Sequence, residues 1–186
     1  YDAEVQSGML YEPALFFQEV LMQNEPLTYL IDAPYSVVSN KLARFYNIPS
    51  KDLRQQPKRF DMPAGSHRGG LLTMAAVLAV SSYPARTSPV LRGKWILESL
   101  LGTPPPPPPP NVPELKEHAG STPQTLRARL EQHRANPTCA GCHSRIDPLG
   151  FGLENYDSLG RWRETEAGQP IEASGLLPDG EAYNGP

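Results

Sequence analysis

Both cysteines of the chain, Cys139 and Cys142, lie three residues apart in PTCAGCHSRIDPLGF, with His143 directly behind them. On a helical turn, residues three and four apart share a face, so two thiols and an imidazole would project together. Thiols at this spacing can add across the two vinyl groups at one edge of a porphyrin while the histidine reaches its iron. The pattern C-x-x-C-H is accordingly read as c-type haem attachment. Ala140 and Gly141, between the thiols, are small enough for a macrocycle to approach. Three other readings compete. Structural zinc wants four nitrogen or sulfur ligands, and no second cysteine pair completes such a set. A thioredoxin-like redox pair wants a βαβ context, which a proline-rich helical chain lacks. Chance spacing is the third, although two cysteines and one of four histidines within five residues argue against it. The balance favours one covalent haem c, with His143 as an iron ligand.

The flanking residues extend that reading. Ile146, Pro148, Leu149, Phe151 and Leu153 form an apolar segment able to exclude water from one haem face, and Pro148 with Gly150 predicts a turn. A backbone carbonyl within 146–150 would then accept the Nδ1–H of His143 and fix its tautomer. Further on, Arg161, Trp162 and Arg163 offer donors suited to two haem propionates; equally, they read as a solvated loop with one packed tryptophan.

What binds the far side of the iron separates electron transfer from catalysis, since two strong axial ligands favour the first and an open site the second. No methionine follows His143, so a thioether must come from upstream. Met74, in an apolar segment, is the first choice as metal ligand, with core packing as its competing role. His133 and then Met62 are the alternatives, while His67 and His118 fall in polar loops. The leading function is therefore electron transfer. A peroxidase- or oxygenase-like haem enzyme, with Arg86 or His67 as its distal polar group, is the alternative, and a haem-bearing structural or surface module is a third. No catalytic constellation is evident, which leaves the question of an enzyme open.

The elements that must position these groups are read as mainly α. Segment 12–24 has apolar residues near the 3.6 period with Pro13 in a first turn, and 36–46 reads as a helix through Val37, Val38, Leu42 and Tyr46. LLTMAAVLAV at 71–80 predicts a nearly all-apolar helix, and Ser88-Pro89 caps another that Gly102 closes. Downstream, Thr122-Pro123 starts a helix through TLRARLEQHRA that Pro137 stops just before the cysteines, and Pro178-Asp179-Gly180 marks a short C-terminal hairpin or two extended arms. Pro104 to Pro110 are consecutive and cannot be helix; a polyproline II rod of about 3.1 Å per residue would extend about 22 Å. The expected architecture is a small helical bundle over 1–102, a polyproline linker over 103–115 packed on the surface, and a cytochrome c-like haem module, truncated, over 116–186.

Composition narrows the partners. Seventeen Lys and Arg against 20 Asp and Glu give a net charge of −3, no sign of a nucleic-acid or polybasic membrane partner. No apolar run approaches the ~18 residues of a membrane span. The first residues lack a signal-peptide pattern, and the opening without Met and the ending YNGP read as a fragment of something larger.

From LLGTPPPPPPPNVP through CAGCHSRIDPLGFGLENYDSLGRWR to SGLLPDGEAYNGP, the chain resembles the planctomycete-type cytochrome c proteins, large exported bacterial multidomain proteins. The upstream RGGLLTMAAVLAVSSYPARTSPVLRGKWILESLLG is similar to the module preceding the haem module there. The resemblance implies haem c on Cys139, Cys142 and His143, a periplasmic or extracellular location, and a redox protein or other domains of the parent protein as partners. It supplies no activity.

Overall fold

The computed structural model describes residues 2–49, 51, 53–107, 125–177 and 179–186. Of these, 45% are helical and 13% are strand. Six α-helices and three two-stranded antiparallel sheets occur among the described residues. The fold is thus mixed α and β, which corrects the expected mainly helical bundle, and no haem-module fold is shown. The polyproline linker placed at 103–115 lies outside the described residues from 108 onward, as do His118, Thr122, Pro123 and Pro178. The chain divides into two compact units. The first comprises Tyr1–Thr87 with Tyr156–Trp162 and Pro186, and the second Ser88–Asn155 with Arg163–Gly185.

In the first unit, helix α1 (Ala3–Met22) starts where the Asp2 carboxylate accepts the Val5 N–H at 3.0 Å. Its inward stripe is Val5, Met9, Glu12, Phe16 and Val20. The segment read as one helix over 36–46 is instead strand β1 (Tyr35–Val38) followed by helix α2 (Asn40–Phe45). All four residues of β1 are buried, and the strand pairs with β2 (Lys58–Asp61), Tyr35 opposite Asp61 and Val38 opposite Lys58. β-Branched Val37 and Val38 suit a buried pleat better than a helix. Ser39 then enforces the boundary, because its Oγ accepts the Leu42 N–H at 3.3 Å and caps α2.

The apolar run at 71–80 is also broken. Leu71–Thr73 form a 3₁₀ turn, Met74 is extended (φ −76°, ψ 137°), and helix α3 covers only Ala75–Val80. The Thr73 hydroxyl accepts the Gly69 N–H at 2.9 Å, and Gly70 at φ +63° lies where an added Cβ would strike the Ile31 carbonyl. Two clusters fill this unit. One gathers Val5, Met9, Val38, Leu42, Tyr46 and Ala75, and the other Phe16, Val20, Tyr35, Val37 and Met74.

In the second unit, α4 (Pro89–Trp95) begins at the expected cap, the Ser88 hydroxyl accepting the Leu91 N–H at 3.2 Å, and widens into a π-helical turn over Ile96–Leu100. Helix α5 (Leu126–Arg134) is capped by Thr125. Helix α6 (Pro137–Phe151) carries the cysteines; Pro137 opens it instead of merely stopping the helix before it, since a first-turn proline lacks only an N–H that would go unpaired. Pro148 and Gly150 do not turn the chain; α6 continues through both. An added Cβ at Gly150 would strike the Pro89 carbonyl, and one at Gly93 the Ile146 carbonyl, so α4 and α6 cross with backbones touching. The Tyr183 hydroxyl donates to the Pro148 carbonyl near the C-terminal end of α6. Tyr183 lies on β6 (Ala182–Asn184), paired with β5 (Ser174–Leu176); a two-residue pair, β3 (Thr165–Glu166) with β4 (Gln169–Pro170), completes the sheets.

Candidate functional site

Asn136 starts α6, its side chain accepting the Thr138 N–H at 3.0 Å. The helix then places Cys139, Cys142 and His143 on one face. Both thiols are free and half-buried. Gly141, between them in sequence, is exposed on the opposite side of the helix, where an added Cβ would meet open space.

One turn beyond His143 stands Asp147, with no exposure to solvent. Its Oδ1 lies 2.8 Å from Nδ1 of His143, so the partner expected to be a backbone carbonyl is a carboxylate. Asp147 Oδ2 is buried without a hydrogen bond, and the Arg134 guanidinium stands 3.7 Å away. Arg134 ends α5, and its neighbour His133 sets its ring edge-on to His143 with centroids 5.1 Å apart. Helix α5 therefore supplies a cation to the carboxylate and a second imidazole to the first. Among the described residues, no three His, Cys, Asp or Glu side chains form a metal-ion cluster.

The other predicted residues are placed as follows. Arg161 pairs with Asp157 at 2.9 Å, and Trp162 stacks on His67 at 3.7 Å with rings 2° from parallel, both within the first unit. Arg163, in the second unit, pairs with Glu154 at 3.2 Å. Both arginines assigned to propionates are thus engaged by carboxylates. Met74 is 2% exposed beside Phe16, Val20 and Tyr35, and Met62 packs half-buried on the other core cluster. Arg86 lies over the Tyr83 ring at 4.2 Å.

Two buried polar networks escaped the sequence reading. In the second unit, fully buried Arg92 donates to the Leu153 carbonyl at 2.6 Å and to Glu154 at 3.1 Å. In the first, Glu12 accepts from the Ser36 hydroxyl at 2.8 Å and from the Tyr46 hydroxyl at 2.5 Å, with the Arg68 guanidinium 3.9 Å over the Tyr46 ring. Burial pushes the Glu12 carboxyl up to about 7 despite those donors. Its signal was a glutamate on the stripe Val5, Met9, Glu12, Phe16.

Among known families, residues 68–166 match the one described as PSCyt3, Protein of unknown function (DUF1588). The chain belongs to the PSCyt3 family. That match spans α4, α5, α6 and both thiols. Residues 1–48 are similar to a second family, described as PSD4, Protein of unknown function (DUF1592). No curated protein and no solved structure matches the chain. Among its described residues, this PSCyt3 chain has no helix long and apolar enough to cross a membrane.

The donor types that a covalent haem would use stand together on α6. Two free thiols and an imidazole share a helical face, and Nδ1 of the imidazole is already engaged, which leaves Nε2 for a metal.

Proposed function

We propose that Cys139, Cys142 and His143 hold one haem c, and that the chain serves electron transfer as a module of a larger exported bacterial protein. The observation that carries this reading is the His143 imidazole, held at Nδ1 beside two free thiols on one helical face. A bound haem would supply a one-electron couple. The protein's own part is to bind the macrocycle at one edge through the thiols, to present Nε2, and to bury Asp147 behind the imidazole. Export to the periplasm or cell surface, and a redox protein or parent domains as partners, rest on the resemblance to planctomycete-type cytochrome c proteins.

The test is production of the full chain in a host with c-type haem maturation, followed by denaturation and acid–acetone extraction. Pigment should stay with the protein, and Cys139→Ser should leave at most one thioether bond. Pigment leaving in the organic phase rejects the reading.

One observation favours a second reading, a haem enzyme with an open distal site. A carboxylate behind the histidine makes it a more electron-rich ligand than a carbonyl would, and proximal electron density favours O–O cleavage. The visible spectrum separates the two: low-spin iron in both oxidation states supports electron transfer, and high-spin iron supports the enzyme.

A further inference from the structure

His143 and Asp147 are four residues apart on α6, and the 2.8 Å contact between Nδ1 and Oδ1 is the side-chain pairing that such spacing allows. Asp147 is fully buried, and an unpaired buried carboxylate is costly. Among the described residues two groups answer it: the His143 Nδ1 at 2.8 Å, and the Arg134 guanidinium at 3.7 Å from the other oxygen, which makes no hydrogen bond. A carboxylate accepts and does not donate. The neutral imidazole must therefore carry its proton on Nδ1, and Nε2 is left with its lone pair.

We infer that Asp147 is a positioning residue that locks His143 in the Nδ1–H tautomer and raises its strength as a donor through Nε2, with Arg134 holding the carboxylate in place. The inference rests on the reading of His143 as the iron ligand. A carboxylate partner draws the Nδ1 proton toward itself and leaves more electron density on the ring, which stabilises the more positive, ferric state. The second partners of metal-bound histidines commonly change affinity or activity 10- to 100-fold when replaced. Loss of this carboxylate should shift the iron couple toward the ferrous state by about tenfold in equilibrium constant, a rise of about 59 mV for one electron.

The test has two parts. In the haem-free full chain at pH 8, long-range ¹⁵N–¹H NMR should show the proton of His143 on Nδ1; a proton on Nε2 overturns the inference. In the haem-loaded chain, Asp147→Asn should raise the reduction potential, and Asp147→Glu, which keeps the charge, should restore it toward the parent value. An unchanged potential in Asp147→Asn, or equal shifts in both variants, overturns it by assigning Asp147 to packing alone. Should either variant fail to fold, the tautomer measurement on the parent chain decides. If haem never attaches to the parent chain, the haem reading falls separately, and the tautomer still decides whether Asp147 orients His143.

Discussion

Gly93 of α4 lies directly against the Ile146 carbonyl of α6. That contact sits one residue from Asp147 and three from His143, so the helix that presents the imidazole is seated by an approach only glycine permits.

Gly93→Ala should therefore force α4 away from α6. Overpacking of this kind costs about 1–3 kcal/mol. Urea unfolding followed by circular dichroism should show a lowered midpoint, while alanine at exposed Gly141, where a Cβ meets nothing within 4 Å, should move it little. Equal effects at the two positions would refute the close crossing.

Arg92 is fully buried against Glu154, which also holds Arg163. Removing one partner of a buried pair costs up to about 3–5 kcal/mol, here lessened because Glu154 keeps Arg163. Arg92→Met should be destabilising. Arg92→Met with Glu154→Gln should cost less than the sum of the single changes, and strict additivity in a double-mutant cycle would show that the two side chains do not act together.

Glu12 predicts a pH dependence of the first unit. Its carboxyl rises from an ordinary 4.5 to about 7 on folding, so between those values the folded state holds the proton that the unfolded chain has lost. Stability falls as pH rises through this window, by about 3 kcal/mol in full, and the loss is absent below pH 4.5. Glu12→Gln should remove the slope between pH 4.5 and 7. Denaturant titrations of parent and variant at pH 4.5 and 8 measure it, and an identical slope in both would count against Glu12 as the source.

Met74 tests the distal ligand. Its side chain is packed among Phe16, Val20, Ala33, Tyr35 and Val37, so Met74→Ala should cost about 2–5 kcal/mol by leaving a cavity. Thioether ligation adds a second outcome, conversion of a low-spin ferric haem to high-spin with loss of the sulfur–iron charge-transfer band. Lowered stability with an unchanged spectrum would assign Met74 to the core alone and turn attention to His133, which already meets His143 edge-on.

What the sequence by itself determined is local. The spacing of Cys139, Cys142 and His143 places them on one face of any helix containing them, and Ser88-Pro89 starts α4 through a hydroxyl and a fixed φ within four residues. The carboxylate behind His143 was within reach of the same reasoning, at i+4, but Pro148 and Gly150 argued for a turn there. The tertiary structure decided otherwise: Gly150 packs on the Pro89 carbonyl and Tyr183 bonds the Pro148 carbonyl, contacts from residues 61 and 35 positions away that hold the last turn of α6 in place. Strand β1 has the same cause, since the apolar spacing of 36–46 fits a helix and the β-branched preference of Val37 and Val38 prevails only where Lys58–Asp61 supply the hydrogen bonds. The roles of Glu12 and Arg92 were not legible for a related reason. A charge on a buried face reads as a misfit until the hydroxyls or the opposite charge that answer it are brought in from distant parts of the chain.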